Sequence, residues 1–228
     1  SASKNPLYQE LYVRWLQFGT FNPMMRSHGT DVYREIYKFG KKGEPVYDAI
    51  EKMIGLRYSL LPYIYSTSWE VSNRQSSFMR ALMMDFVDDR KVWDINDEYM
   101  FGKSILVASI THAQYTPEAV VKVSEEEGWN RDGAKKTKTD VAVDFMETKS
   151  TNIYLPAGTL WYDFWTNEPY DGGQSITADA PLDKIPVFVR SGFLIPMETE
   201  KLEYADQISA APFEIHIYPG QDAQFLFY

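Results

Sequence analysis

Residues Arg14 to Gly29 read R-W-L-Q-F-G-T-F-N-P-M-M-R-S-H-G and join a helical pattern to an extended one. Pro23 has no backbone donor and disfavours helix in the residue before it, so we expect an apolar strand from Phe21 to Met25. That strand would end in Arg26 and His28. Polar groups at the carboxyl end of a barrel strand face the active site, where a histidine can donate to a hydroxyl group and an arginine can hold a carboxylate. The alternative is that both side chains only cap the strand and satisfy local carbonyls.

A short amphipathic helix is predicted before this strand, because apolar residues recur there at helical spacing. They are Leu7, Leu11, Tyr12, Trp15 and Leu16. The same spacing predicts that Trp15 belongs to the core, and Gly19 is suited to end the helix. A longer helix is predicted to begin at Pro45, which suits a first helical turn. Pro62 should kink or interrupt that helix, because proline removes a backbone donor.

After about residue 85 the pattern changes to short strand-like runs separated by turn residues. The runs are Ser104–Ile110, Thr151–Leu155, Pro186–Val189, Phe213–Tyr218 and Gln224–Tyr228. In the fourth run Phe213, Ile215 and Ile217 alternate with polar residues, which predicts a half-buried strand. Such runs are typical of an antiparallel sandwich. We therefore divide the chain into residues 1–85 and residues 86–228, and we interpret the charged segment Ser124–Asp140 as a surface insertion.

Charge and composition narrow the classes of partner and site. The formal net charge is −9, so nucleic acid, whose binding needs a basic patch, is not an expected partner. No apolar run approaches the roughly 20 residues that span a bilayer, so no membrane partner is expected. The chain has no cysteine, and its three histidines, His28, His112 and His216, are widely spaced. We therefore expect no metal site from these residues, and no feature of the sequence predicts another cofactor.

The quoted stretch resembles a segment of glycoside hydrolase family 31, which includes α-glucosidases and α-xylosidases. Members of that family carry R-W-x-Q-x-G-x-F-x-P followed by R-x-H. The matching residues here are Arg14, Trp15, Gln17, Gly19, Phe21, Pro23, Arg26 and His28. Further stretches resemble the family in the same order along the chain: Leu56–Tyr63, Phe101–Ser109, Tyr154–Asp163 and Pro186–Pro196. Ser109 stands where the family has proline.

This resemblance implies an α+β fold, in which the last part of a (β/α)8 TIM barrel is followed by an antiparallel β-sandwich cut before its final strands. It also implies a retaining hydrolysis by two carboxylates. In the family both precede the R-W-x-Q segment, so no catalytic residue is assigned here, and the preceding portion of the same protein is an expected partner. The resemblance assigns His28 to hydroxyls of the sugar being cleaved, with Arg26 as a supporting residue.

Two local clusters have competing interpretations. The family's nucleophile lies in W-x-D-x-x-E, but Ile95 stands at the aspartate position of the stretch Trp93–Glu98. We interpret that stretch as a solvated acidic turn. The second cluster is a group of aromatic side chains on one predicted hairpin, where they either form a sugar-stacking platform or, as we favour, pack the sandwich. Its members are Trp161, Tyr162, Phe164 and Trp165.

The function implied by the resemblance is that of part of a retaining hydrolase acting on terminal α-linked xylosyl or glucosyl residues. We expect the isolated chain to be inactive, because the carboxylate pair lies elsewhere in the family. Two alternatives remain open: a carbohydrate-binding β-sandwich module, and a structural piece that supports a barrel and exposes an apolar face for it. The compartment is left open.

Overall fold

The computed structural model describes residues 2–28, 33–117, 142–205, 207, 212–222 and 224–228. The predicted surface insertion at 124–140 and Gly29 therefore lie outside the described residues. Across the described part of the chain, no helix has both the length and the apolar composition that crossing a bilayer requires.

Helices occupy most of the first 75 residues. The α-helices are α1 (Pro6–Thr20), α2 (Ile36–Phe39), α3 (Pro45–Ser59), α4 (Leu61–Arg74) and α5 (Leu82–Asp85), with short 3-10 helices at Ala2–Lys4 and Arg90–Asp94. Prolines lie in the first turns of α1, α3 and α4, where a missing N–H costs no hydrogen bond. The prediction that Pro62 interrupts the helix is confirmed, because α3 ends at Ser59 and a separate helix, α4, begins at Leu61.

After residue 75 most of the regular structure is antiparallel strands. They are β1 (Met79–Ala81), β2 (Glu98–Phe101), β3 (Ile105–Ala108), β4 (Ser150–Leu155), β5 (Leu160–Asp163), β6 (Pro169–Asp171), β7 (Gln174–Asp179), β8 (Val187–Arg190), β9 (Phe193–Met197) and β10 (Glu214–Tyr218). Six of them make one sheet in the order β1-β2-β3-β8-β5-β6, while β4 pairs with β7 and β9 pairs with β10 as two-stranded ribbons.

The six-stranded sheet separates two hydrophobic clusters. Ile105 and Val107 of β3 belong to the cluster that the sheet shares with α1, α3 and α4. Leu106 and Ala108 alternate with them and belong to the other cluster, with residues of the β4–β7 ribbon and Trp161. Side chains of successive strand residues point to opposite faces, so one sheet serves both clusters. The helices therefore cover one face of the sheet and the ribbon covers the other.

Four of the five predicted strand-like runs contain a strand, and the fifth does not. Gln224–Tyr228 has no regular secondary structure, so that prediction is wrong. The predicted burial of the apolar side of β10 is also wrong: Ile215 and Ile217 are 58% and 69% exposed. Strand alternation specifies which side chains share a face, but a face is buried only where another layer packs on it.

The burial of α1 also differs from the prediction. Trp15 is 71% exposed, and Leu11 is exposed as well, so the expected core position of Trp15 is wrong. The buried face of this helix instead includes Glu10, Arg14 and Gln17 beside Val13 and Leu16. Helical spacing alone misses this, because polar side chains can face inward when most of their polar atoms find partners; of the polar atoms of these three side chains, only Nε of Arg14 is buried without one.

Candidate functional site

The two residues predicted for the site, Arg26 and His28, both lie on the surface. Nη2 of Arg26 is 3.2 Å from Nδ1 of His28, so the side chains are neighbours. The predicted strand from Phe21 to Met25 is absent, since residues 21–28 have no regular secondary structure. A strand exists only through hydrogen bonds to a neighbouring strand, and the main-chain carbonyls at the start of this segment bond to side chains instead.

The backbone of His28 is held against the first helix. The Arg34 guanidinium donates to the His28 carbonyl and, through Nε, to the Tyr8 hydroxyl at 2.7 Å. One turn further along α1, the hydroxyl of Tyr12 lies 2.9 Å from Oγ of Ser27 and donates to the Arg34 carbonyl at 3.1 Å. These contacts tie the end of the extended segment to α1 while the imidazole itself stays accessible.

A second group of contacts holds the beginning of the segment. Arg57 of α3 donates from Nη1 to the carbonyls of Thr20 and Asn22 at 3.0 and 2.5 Å, and from Nη2 to the carbonyl of Pro23 at 2.9 Å. The hydroxyl of Tyr99, on β2, donates to the carbonyl of Phe21 at 3.0 Å. Burial lowers the pKa of Arg57 and raises that of Tyr99. No local pattern of the sequence predicts these contacts of Arg57 and Tyr99.

Arg14 and Gln17, from the same motif, are buried in a joint between α1 and two loops of the β-part, which comprises residues 86–228. Arg14 donates to Gln17 Oε1 at 3.0 Å and to the carbonyls of Ala180, Pro181 and Lys184 at 2.7 to 3.1 Å. Gln17 donates to the carbonyl of Leu182 at 2.8 Å. Burial lowers the pKa of Arg14. These residues hold two regions of the chain together and do not reach Arg26 or His28 by any of these bonds.

Glu10 completes this joint. Its Oε1 accepts from the backbone N–H groups of Gln114 and Tyr115, and its Oε2 accepts from the N–H and the hydroxyl of Thr116. All four distances lie between 2.5 and 3.0 Å. A buried carboxylate with four donors is well satisfied. Glu10 therefore has a structural role that the sequence did not suggest.

The acidic turn at Trp93–Glu98 is only partly as predicted. Asp94 and Asp97 are exposed, as expected for a solvated turn. Glu98 is 8% exposed, so its assignment to solvent is wrong. Its Oε1 accepts from the N–H of Tyr154 at 2.8 Å, while Oε2 has no partner. Burial raises the pKa of Glu98 to about 8, with the Asp97 charge adding to the rise.

In the aromatic hairpin, the side chain of Trp161 packs inside the protein. Trp161 is 0% exposed and its indole N–H donates to the carbonyl of Pro156 at 2.9 Å. Trp165 is partly buried against the first hydrophobic cluster and donates to the carbonyl of Ile185 at 2.9 Å. A ring that is fully enclosed by protein cannot stack on a sugar. The packing interpretation is therefore confirmed for Trp161.

Metal ligands and acid–base pairs do not gather at Arg26 and His28. Among the described residues, no group of three or more His, Asp or Glu side chains could hold a metal ion. His216 lies far along the chain on β10, with Nε2 3.3 Å from Oε1 of Glu214. A guanidinium and an imidazole at the site can donate hydrogen bonds to hydroxyl groups and attract a carboxylate. They do not supply the two carboxylates that retaining glycoside hydrolysis requires.

Two family models match the chain in sequence. The glycosyl hydrolases family 31 TIM-barrel domain matches residues 3–67, and the glycosyl hydrolase family 31 C-terminal domain matches residues 75–137 and 141–195. This chain belongs to glycosyl hydrolase family 31. The resemblance drawn from the R-W-x-Q and R-x-H motifs is thereby confirmed, and the mixture of helices and antiparallel sheet fits both matched domains.

Relatives of known name cover nearly all of this family 31 chain. An α-xylosidase from Saccharolobus solfataricus is 35% identical over 221 residues, which are 97% of this chain and 25% of the relative. Human neutral α-glucosidase C is 31% identical over 193 residues, 83% of this chain and 17% of the relative. The chain thus spans a quarter or less of the length of these relatives.

Solved structures of the family have the same arrangement. A family 31 α-xylosidase from Xanthomonas citri superposes with a TM-score of 0.75 at 40% identity, covering 94% of this chain and 20% of that one. A family 31 dextranase from Flavobacterium johnsoniae in complex with isomaltotriose gives a TM-score of 0.71 at 32% identity, covering 93% and 22%.

Proposed function

We propose that this chain is part of a retaining glycoside hydrolase that removes terminal α-linked xylosyl or glucosyl residues from oligo- or polysaccharides. In this proposal it forms the last part of a (β/α)8 TIM barrel and the antiparallel β-sandwich that follows. His28 donates a hydrogen bond to a hydroxyl of the sugar being cleaved, and Arg26 supports it. The single observation that carries the proposal is the family match along almost the whole chain, with relatives named α-xylosidase and α-glucosidase.

The proposed division places residues 1–85 in the barrel and residues 86–228 in the sandwich. The two parts share one sheet, because β1 of the first pairs with β2 of the second. They are also bonded through Arg14 and Glu10. The β-part accordingly supports the barrel segment that leads to His28.

The isolated chain is proposed to have no glycosidase activity, since the two carboxylates of retaining hydrolysis are contributed by the preceding portion of the protein. The exposed apolar side chains of α1, Leu11 and Trp15, together with Met24, are proposed to contact that portion. An exposed apolar group of this kind often marks a surface that a partner covers. The short span relative to the named relatives supports the same conclusion.

Incubation with aryl α-xyloside and aryl α-glucoside tests the inactivity. We expect no release of the aryl group above that of a His28→Ala variant. Release at enzymatic rates by the unaltered chain would show that it carries its own carboxylate pair. In the parent protein, the same His28→Ala change should lower kcat/KM for the preferred aryl glycoside, whereas the surface change Glu203→Gln should not.

A second candidate role, that of a structural piece supporting a barrel, is favoured by the exposure of Trp15 and Leu11. It predicts that the chain binds no sugar by itself. Titration with xylo- and gluco-oligosaccharides separates the two roles. Heat released on titration that disappears in the His28→Ala variant supports the sugar contact, and its complete absence supports the structural role. A carbohydrate-binding module that depends on Trp161 is disfavoured, because that ring is enclosed.

A further inference from the structure

Four successive main-chain carbonyls at the start of the extended segment accept hydrogen bonds from two side chains, one on a helix and one on the six-stranded sheet. Arg57 of α3 donates to the carbonyls of Thr20, Asn22 and Pro23. The fourth carbonyl, that of Phe21, accepts a hydrogen bond from the hydroxyl of Tyr99, which lies on the six-stranded sheet. A run of carbonyls outside helix or sheet would otherwise depend on water. This grip, formed by Arg57 and Tyr99, lies immediately before the residues that lead to Arg26 and His28.

We propose that Tyr99 and Arg57 are positioning residues for His28. The grip fixes the direction in which the chain leaves Thr20, and the contacts with Tyr12 and Arg34 fix its far end. Tyr99 belongs to the β-part, so the sheet that follows the barrel segment sets where the imidazole stands. The placement of His28 can be measured on this chain alone. Only its consequence for catalysis rests on the proposed contact between His28 and sugar.

The hydroxyl of Tyr99 can be separated from the packing of its ring. The ring contacts Phe18 edge to face, with centroids 5.8 Å apart, and phenylalanine at position 99 would keep that contact. The hydroxyl makes one hydrogen bond to the Phe21 carbonyl. Burial raises the pKa of Tyr99, so the phenol keeps its proton and stays a donor across the neutral range. Tyr99→Phe therefore removes one of the four hydrogen bonds of the grip without opening a cavity.

A matched control exists on the same sheet. Tyr162 of β5 is also partly buried, packs against another ring, Tyr218, at 5.7 Å, and donates its hydroxyl to a main-chain carbonyl, that of Pro219, at 3.1 Å. Tyr162→Phe removes the same chemical group far along the chain from His28. Tyr162→Phe should cost no more stability than Tyr99→Phe, because the Tyr162 bond is exposed and the Pro219 carbonyl also accepts from Ser191.

The imidazole resonances of His28 provide the readout. The chain has three histidines, so the signals are assigned by comparison with His28→Ala. We expect Tyr99→Phe to shift or broaden the His28 signals and leave His112 and His216 unchanged. Tyr162→Phe should leave the His28 signals unchanged, which separates an effect specific to Tyr99 from the general loss of a tyrosine hydroxyl. Arg57→Lys, which replaces a fork of donors by a single point charge, should displace the His28 signals further.

Unchanged His28 signals in folded Tyr99→Phe and Arg57→Lys variants would overturn the proposal, as would an equal response to Tyr162→Phe. In the parent enzyme, Tyr99→Phe should lower kcat/KM by about tenfold to hundredfold, since small displacements of contacting groups are costly. A displaced His28 signal with unaltered kcat/KM would leave the positioning intact and contradict the proposed sugar contact. The two proposals therefore fail in different measurements.

Discussion

Two groups of polar residues from one short stretch have opposite surroundings. Arg14 and Gln17 are buried and bond to carbonyls of a loop that lies more than 160 residues away in sequence. Arg26 and His28 are exposed and bond to each other. Both pairs belong to the motif that identified the family, yet only the second pair is exposed. A motif residue in an enzyme can therefore serve the fold as readily as the chemistry.

The largest expected difference between the two groups is in stability. Arg14→Ala leaves several buried carbonyl oxygens without a donor and removes a buried cation. We therefore expect it to lower the free energy of unfolding by about 3–5 kcal/mol. The matched change Arg26→Ala should stay within about 0.5 kcal/mol, because an exposed side chain leaves its partners to water. Urea unfolding followed by circular dichroism measures both. Equal losses would show that the exposed pair is also a structural joint.

A smaller effect on stability, one that depends on pH, is expected at Glu98. Its Oε2 atom is buried without a hydrogen-bond partner. Its pKa is raised from 4.5 to about 8 in the folded chain. Between these values the folded state holds a proton that the unfolded state releases, so the free energy of unfolding falls as pH rises from about 4.5 to 8. Glu98→Gln removes this dependence and should stabilise the chain at pH 9 by a few kcal/mol, since one pKa unit corresponds to about 1.4 kcal/mol.

Thermal unfolding from pH 5 to pH 9 measures the effect of Glu98→Gln. At pH 5 the variant and the unaltered chain should differ little, because the folded carboxyl is neutral there. Glu203→Gln, at an exposed glutamate, provides the control and should show no growing difference with pH. A constant offset for Glu98→Gln across the range would mean that the carboxyl is ionised in the folded state.

The smallest expected effect concerns the exposed face of α1. Trp15→Ala should change the free energy of unfolding of this chain by no more than about 0.5 kcal/mol, because the ring is mostly in water. Chemical denaturation measures the change. A loss of several kcal/mol, as expected for a core tryptophan, would show that Trp15 packs in solution and that the exposed face is not available to the preceding portion of the protein.

The sequence predicted those parts of the fold that depend on local rules. The break at Pro62, the helix beginning at Pro45 and four of the five strand-like runs follow from proline geometry and from β-branched and aromatic runs. The resemblance to the family also selected Arg26 and His28 as site residues, and both are exposed; their contact with sugar stays a prediction. Prediction from the sequence failed for Trp15 and for Ile217, whose burial depends on whether another layer of the molecule covers them.

The sequence by itself therefore determined the family, the types of most elements and the candidate residue His28. The tertiary structure alone decided that Arg14 and Gln17 are a joint, that Glu98 is buried, and that Tyr99 reaches the segment before His28. The physical reason is the range of the interactions. Propensity and periodicity act over a few residues, whereas these contacts join positions up to 170 residues apart, and only the folded chain brings their donors and acceptors together.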